Sequence, residues 1–126
     1  MKKLILLLFT IVSFTSFSQH FENDWNTDMN KAIEISHNTG KPLMLFFTGS
    51  DWCGWCIKLQ KAVFSKPDFV KWATKNVVLV ELDFPRRTKI SEELTAQNRN
   101  LQQMFGVRGY PTVWFVTPVI KGDKID

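Results

Sequence analysis

The chain has 126 residues, a formal net charge of +4 and 44% hydrophobic residues, the size of one domain with a single core. The basic excess is mild and its Lys and Arg residues form no block, which argues against nucleic acid as the main partner.

The N-terminus reads as an export signal. Lys2 and Lys3 lead an apolar stretch from Leu4 to Val12 that only Thr10 interrupts, and Ser16 and Ser18 follow at the spacing a signal peptidase needs. Cleavage is expected near Ser18–Gln19. Residues 1–18 would then be a signal peptide and residues 19–126 the mature domain, with the net charge halved. Leu4–Phe17 is short of the roughly 18 apolar residues that a membrane span needs, so no stable membrane anchor is expected after cleavage. No cysteine lies near the cut for lipid attachment. A short, Lys-led signal points to the bacterial periplasm, a compartment where disulfides persist.

An amphipathic helix is expected over Thr27–Asn38, with Met29, Ala32 and Ile33 on one face, Gly40 closing it and Pro42 preventing its continuation. Leu43–Phe47 is an unbroken apolar run, which suits a strand covered on both faces. Thr48–Asp51 is a polar loop. A helix follows from Cys53, with Cys56, Leu59 and Val63 on its inner face. Ser65-Lys66-Pro67-Asp68 reads as a helix start with Ser65 as cap, and that helix ends near Asn76. Val77–Leu82 is a second strand, and Pro85-Arg86-Arg87 is a loop. Ile90, Leu94, Leu101 and Met104 mark a longer helix ending near Gly106. Val113–Val116 is a third strand, and Lys121-Gly122-Asp123-Lys124 a hairpin turn. Phe105 and Trp114 are expected in the core. Strands alternating with helices indicate an α/β fold, whose sites form at the carboxyl ends of strands.

Cys53 and Cys56 are the only cysteines. They stand in Asp51-Trp52-Cys53-Gly54-Trp55-Cys56, just after a buried strand and at the start of a helix. A helix N-terminus offers free N–H groups and about half a positive charge, which stabilises a thiolate. Lowering a thiol pKa from about 8.5 to about 7 raises the ionised fraction at neutral pH from about 3% to about half. Cys53, at the first helical position, is expected to attack a disulfide. Cys56, a turn deeper and more buried, is expected to resolve the mixed disulfide. Gly54 leaves room for another backbone, and Trp55 is expected to cover the pair or face a partner. Other readings are a structural disulfide, although so short a loop gives the least entropic stabilisation, and a zinc site, for which only His20 and His37 could supply further nitrogen ligands. A chance pair in an inert protein is the last. Pro111, in Arg108-Gly109-Tyr110-Pro111-Thr112, opens an apolar strand. Taken alone, a proline here reads as an ordinary trans strand start; together with the upstream Cys-Gly-Trp-Cys, a cis Tyr110–Pro111 bond is expected, leaving the Tyr110 backbone free to pair with an extended substrate.

On Phe46-Phe47, Trp52-Cys53-Gly54-Trp55-Cys56 and Gly109-Tyr110-Pro111-Thr112, the chain resembles the thioredoxin superfamily over roughly Lys41–Thr117. More narrowly, it is similar to exported bacterial thioredoxin-like proteins related to the C-terminal domain of the transmembrane disulfide reductase. The resemblance implies a central mixed sheet flanked by helices, Cys53 attacking, Cys56 resolving, and cis Pro111 beside them. Thioredoxin carries a buried carboxylate six residues before the first cysteine; here that residue is Phe47, and Glu81 or Asp83 are the candidate replacements. The family fold continues with another strand and a final helix; the sequence stops before a full second strand, so the expectation is either a truncated C-terminus or a domain without that last helix.

The expected function is thiol–disulfide exchange with exported proteins through Cys53, with a reductant role favoured by resemblance. Such proteins span roughly −270 to −120 mV, about 7 kcal/mol of bias. The alternative is a non-catalytic module that holds peptide or client chains on Trp52, Gly54, Trp55, Tyr110 and Pro111. A copper or zinc carrier is a weaker third. No cofactor and no resident metal are expected. The expected partners are protein thiols or disulfides and a redox partner protein.

Overall fold

The computed structural model describes residues 24–122, with the backbone of residues 124–125. The signal-peptide expectation for residues 1–18, and His20, lie outside the described residues.

Helix α1 is Met29–Thr39. It starts two residues later than expected because Asp28 is the cap, its carboxylate accepting from the Asn30 and Lys31 N–H groups. Gly40 ends it in the left-handed region at φ 69°, where a side chain would be strained. Ala32, Ile33 and Ser36 are buried on its inner face.

Strand β1, Leu43–Thr48, is buried throughout and central. It runs parallel to β2 (Val78–Asp83), from Leu43 opposite Val78 to Thr48 opposite Asp83. It runs antiparallel to β3 (Thr112–Val116), from Leu43 opposite Val116 to Phe47 opposite Thr112. Alternation divides the strand between two cores. Leu43, Leu45 and Phe47 join Ala32, Ile33, Val80, Leu82 and Leu101 on one face. Met44 and Phe46 join Cys53, Cys56, Phe64 and Ala73 on the other. This explains why the sequence shows a continuous apolar run rather than alternation. Beyond β2, Asn26 forms an isolated parallel bridge with Val80: its N–H reaches the Leu79 carbonyl (2.9 Å) and its carbonyl accepts from Glu81 N–H (2.8 Å).

Helix α2, Gly54–Leu59, runs directly into a π-helical stretch, Gln60–Phe64. The expected regular helix put Val63 inside. The wider π turn carries an extra residue, so Phe64 is buried instead and Val63 is 42% exposed. Helix α3 is Pro67–Asn76. Its N-cap is Lys66, without a side-chain cap bond. Ser65, expected to cap it, instead closes the preceding helical run by donating from Oγ to the Lys61 carbonyl (3.0 Å). Val77 is the C-cap of α3, so β2 begins one residue later than expected.

Helix α4, Glu92–Met104, starts at Ser91, whose Oγ accepts from Leu94 N–H. Buried Asn98 donates to the Asp83 carbonyl (2.9 Å), and Gln97 bonds the Met29 N–H and the Thr27 carbonyl. These bonds tie α4 to the end of β2 and to the start of α1. Phe105 is half-buried against the first core. Trp114, expected inside, is 43% exposed. It lies on edge strand β3 with one ring face on Phe105 (centroids 5.5 Å apart). Ile120–Lys121 (β4) and Lys124–Ile125 (β5) form a separate two-stranded sheet around Gly122, as the hairpin reading expected. No helix among the described residues is long and apolar enough to cross a membrane.

Candidate active site

The site is built where β1 ends. From Thr48 the chain turns through Gly49, whose carbonyl accepts from the N–H groups of Trp52 (3.3 Å) and Cys53 (2.9 Å). Gly49 is buried, and a Cβ there would run into the Trp52 indole. This turn delivers Cys53 as the N-cap of α2, one position before the first helical residue, Gly54, rather than as that first residue as expected. Its Sγ accepts from Cys56 N–H at 3.2 Å, and the Ile57 N–H bonds its carbonyl. The Cys53 sulfur therefore occupies the place a capping oxygen normally takes.

The two cysteines form a disulfide, with Cα atoms 5.2 Å apart. Both are largely covered: Cys53 is 7% exposed and Cys56 1%. The sulfur expected to attack is thus only slightly open to solvent in the disulfide form. Cys53 joins the second core, against which Trp52 and Tyr110 pack, and the remaining solvent contact is greater at Cys53 than at Cys56. A Cβ on exposed Gly54 would meet nothing within 4 Å, so there is open space at Gly54 itself.

The second motif arrives from the far side of the sheet. Tyr110–Pro111 is cis and leads into β3. The Tyr110 ring meets Trp52 edge-on at 5.8 Å and packs on Phe84 at 5.1 Å. Its hydroxyl accepts from Gln102 Nε2 at 2.6 Å. Burial raises the Tyr110 pKa, while the Gln102 bond opposes that shift. Pro111 shares an apolar groove of about 390 Å³ with Trp55, Leu59, Ala62 and Val63, with Lys58 on its wall. Trp52, Cys53, Trp55, Cys56, Tyr110 and Pro111, up to 59 positions apart in the chain, therefore gather in one place.

A third segment runs from Asp83, at the end of β2, to Thr88; of it, Pro85-Arg86-Arg87 was expected to be a loop. The segment is bound closely to the turn before Cys53. The Asp51 carboxylate accepts from the N–H groups of Arg86 (3.0 Å), Arg87 (2.7 Å) and Thr88 (2.8 Å), and from Thr88 Oγ1 (3.3 Å). The backbone bonds from Arg86 and Thr88 lead in lowering its pKa from 3.8 to about 2. Asp83 accepts from Ser50 N–H (2.9 Å) and from Ser50 Oγ. Trp52 Nε1 donates to the Phe84 carbonyl at 2.7 Å, and the Arg86 guanidinium lies 3.7 Å over the Trp52 ring. On the opposite side, Lys58 Nζ sits 5.0 Å from the centroid of Trp55, which is 70% exposed. Exposed cation–π pairs of this kind are worth about 0.5–1 kcal/mol. One signal for the strap was in the sequence: two short acids, Asp51 and Asp83, each beside a polar turn, suited to backbone N–H groups.

Both proposed substitutes for the carboxylate missing at Phe47 lie on the face of the sheet that carries the cysteines. Glu81 is opposite Phe46, and Asp83 opposite Thr48; Phe47 itself packs into the other core. Asp83 is committed to Ser50. Glu81 has its pKa raised, first by burial and second by the Asp83 charge. Among the described residues no group of three or more His, Cys, Asp or Glu gathers as a metal site.

Comparison with known proteins agrees with this arrangement. The profile of the family described as "Thioredoxin-like domain" matches residues 29–123. "Disulfide bond reductase DsbH" of Chlamydia pneumoniae is 40% identical over 86 residues, covering 68% of this chain and 52% of that protein. "Thiol:disulfide interchange protein DsbD" of Klebsiella pneumoniae is 40% identical over 81 residues, 64% of this chain and 12% of that protein. A solved structure titled "DsbH Oxidoreductase" superposes with a TM-score of 0.68 at 38% identity, covering 72% of this chain and 62% of that one. The chain thus spans about half the length, or less, of these curated relatives. With a three-stranded mixed sheet between helices, a Cys-Gly-Trp-Cys turn at a helix start and these matches, the chain belongs to the thioredoxin-like family.

Proposed function

We propose that this domain is a thiol–disulfide oxidoreductase that reduces disulfides in exported proteins. The observation that carries this reading is the placement of Cys53 Sγ at the cap of α2, where Cys56 N–H points at it, with the more buried Cys56 behind it. In the dithiol state the same N–H and the helix dipole favour a Cys53 thiolate.

That thiolate attacks one sulfur of a client disulfide, forming a mixed disulfide and releasing the first client thiolate, which takes up a proton. Cys56, deprotonated, then attacks Cys53 Sγ and expels the second client thiolate. Two electrons pass from the pair to the client, and the Cys53–Cys56 disulfide remains. A redox partner protein restores the dithiol. Glu81, on the cysteine side of the sheet with a raised pKa, is the candidate to take up the Cys56 proton. The name of the Chlamydia relative, a disulfide bond reductase, supports the reducing direction. Residues 1–18 are assigned as the export signal, which makes the periplasm the working compartment.

Reduction of insulin disulfides, driven by a chemical reductant, tests the reading. Cys53→Ser should abolish the reaction, while Cys56→Ser should trap client proteins as mixed disulfides. Unchanged turnover in Cys53→Ser would overturn it. A pair potential near −120 mV would refute the reducing direction while leaving the exchange chemistry intact.

A further inference from the structure

Both tryptophans of the Trp-Cys-Gly-Trp-Cys turn lie beneath a cation: Arg86 over Trp52 at 3.7 Å and Lys58 over Trp55 at 5.0 Å. Between Trp52 and Lys66 there is no Asp or Glu, whereas Lys58, Lys61 and Lys66 are all present and exposed. Across the site, the strap presents exposed Arg86, Arg87 and Lys89, and Arg108 is exposed in the segment leading to Pro111. Two nearby acids, Asp51 and Asp83, offset part of this charge. Asp51 is turned onto three backbone N–H groups, and Asp83 onto Ser50. The two tryptophans that flank Cys53 thus each carry a cation, Arg86 on one side and Lys58 on the other. Cations so placed concentrate oppositely charged segments and speed their encounter.

The groove beside Pro111 adds a second requirement. Trp55, Leu59, Ala62, Val63 and Pro111 make it apolar, with Lys58 as its charged wall residue. Val63 faces this groove because of the π-helical stretch. A client side chain entering here must be apolar, and an acidic neighbour would meet Lys58 or Arg86.

We propose that the site selects extended client segments in which the disulfide cysteine is flanked by acidic residues and accompanied by an apolar side chain seated against Trp55, Val63 and Pro111. This inference rests on the disulfide-exchange reading above and names its substrate class.

The test uses the full chain in its dithiol form and three disulfide-linked peptides. They are identical except that Glu, Gln or Lys flanks the cysteine, with a leucine held constant. At low salt the Glu peptide should be reduced about tenfold faster than the Gln peptide, and the Lys peptide more slowly than either. The ratio should approach one at high ionic strength, where the Debye length is about 3 Å. In Lys58→Gln and Arg86→Gln, the Glu-to-Gln ratio within each variant should fall severalfold. Equal rates for the three peptides in the unaltered protein would overturn the selectivity and leave the exchange chemistry standing. Failure to reduce even the Gln peptide would instead overturn the function on which the selectivity rests. Because salt dependence is read on the unaltered protein, the outcome does not hang on how the variants fold.

Discussion

On one side of the Cys53–Cys56 pair, residues 49–52 are held to residues 83–88 by the Asp51, Asp83 and Trp52 hydrogen bonds, and Gly49 has no space for a side chain. On the other side, Trp55, Val63 and Lys58 stand in solvent around the groove beside Pro111. The first side fixes where the Cys53 sulfur sits. The second is open to another chain. The division places polar bonds and a steric wall behind the pair, and apolar and cationic surface in front, the arrangement the proposed exchange with client disulfides requires. Substitutions on the closed side should therefore disturb stability, and those on the open side should disturb only turnover.

The sharpest contrast lies within one helical turn. Phe64→Ala should cost about 3–5 kcal/mol in denaturant unfolding, since Phe64 is 4% exposed and packs edge-on to Phe46 at 4.9 Å. Val63→Ala, one residue away, should change stability by less than about 0.5 kcal/mol. The reverse order would mean that the helix keeps a regular period and that the π-helical stretch is absent.

Gly49→Ala comes next. The added methyl must displace the Trp52 indole, an overpacking cost of about 1–3 kcal/mol. Near-UV circular dichroism of the tryptophans should change with it. An unaltered spectrum and midpoint would show the closed side to be looser than described.

Asp51 makes the closed side sensitive to acid. Its folded pKa, about 2, is below its ordinary 3.8. Its contribution is therefore fully present above pH 3.8 and is lost as pH falls through about 2. Asp51→Asn should lower stability at neutral pH and remove this part of the acid-induced decline, as read from unfolding midpoints across that window. Parallel pH profiles for the two proteins would remove Asp51 as the anchor.

The smallest stability effect belongs to the open side. Trp55→Ala should leave the unfolding midpoint within about 0.5 kcal/mol of the parent, because the ring is 70% exposed. Its KM for client peptides should nonetheless rise. A large loss of stability would show that Trp55 holds the fold rather than a client.

Much of the fold was legible because it depends on local pattern. The apolar run Leu43–Phe47, the capping and stop signals around α1, and the β-branched run before Asp83 each point to one element. Errors gathered where one residue served either of two neighbours. Ser65 suited a cap for α3 but closes the helical run before it. Val63 was on the inner face for a regular period and left it when a single wider turn intervened. Trp114 has the hydrophobicity of a core residue, but its exposure depends on where β3 lies in the sheet. The site divides in the same way. Cys53, Cys56 and Pro111 were readable as motifs, while the strap from Asp51 to residues 86–88 joins positions 35 to 37 apart with no pattern linking them.

The order of residues by itself determined the chemistry: two thiols at the spacing of one helical turn, ahead of a proline-led strand, in a chain with one domain's worth of apolar residues. Spacing and polarity are local quantities, and they survive without knowledge of the partner. Only the tertiary structure decided which acids hold backbone and which face solvent, which cations lie over which indoles, and which of Val63 and Phe64 enters the core. Those outcomes depend on distances between segments far apart in the chain, and such distances exist only once both cores have closed around β1.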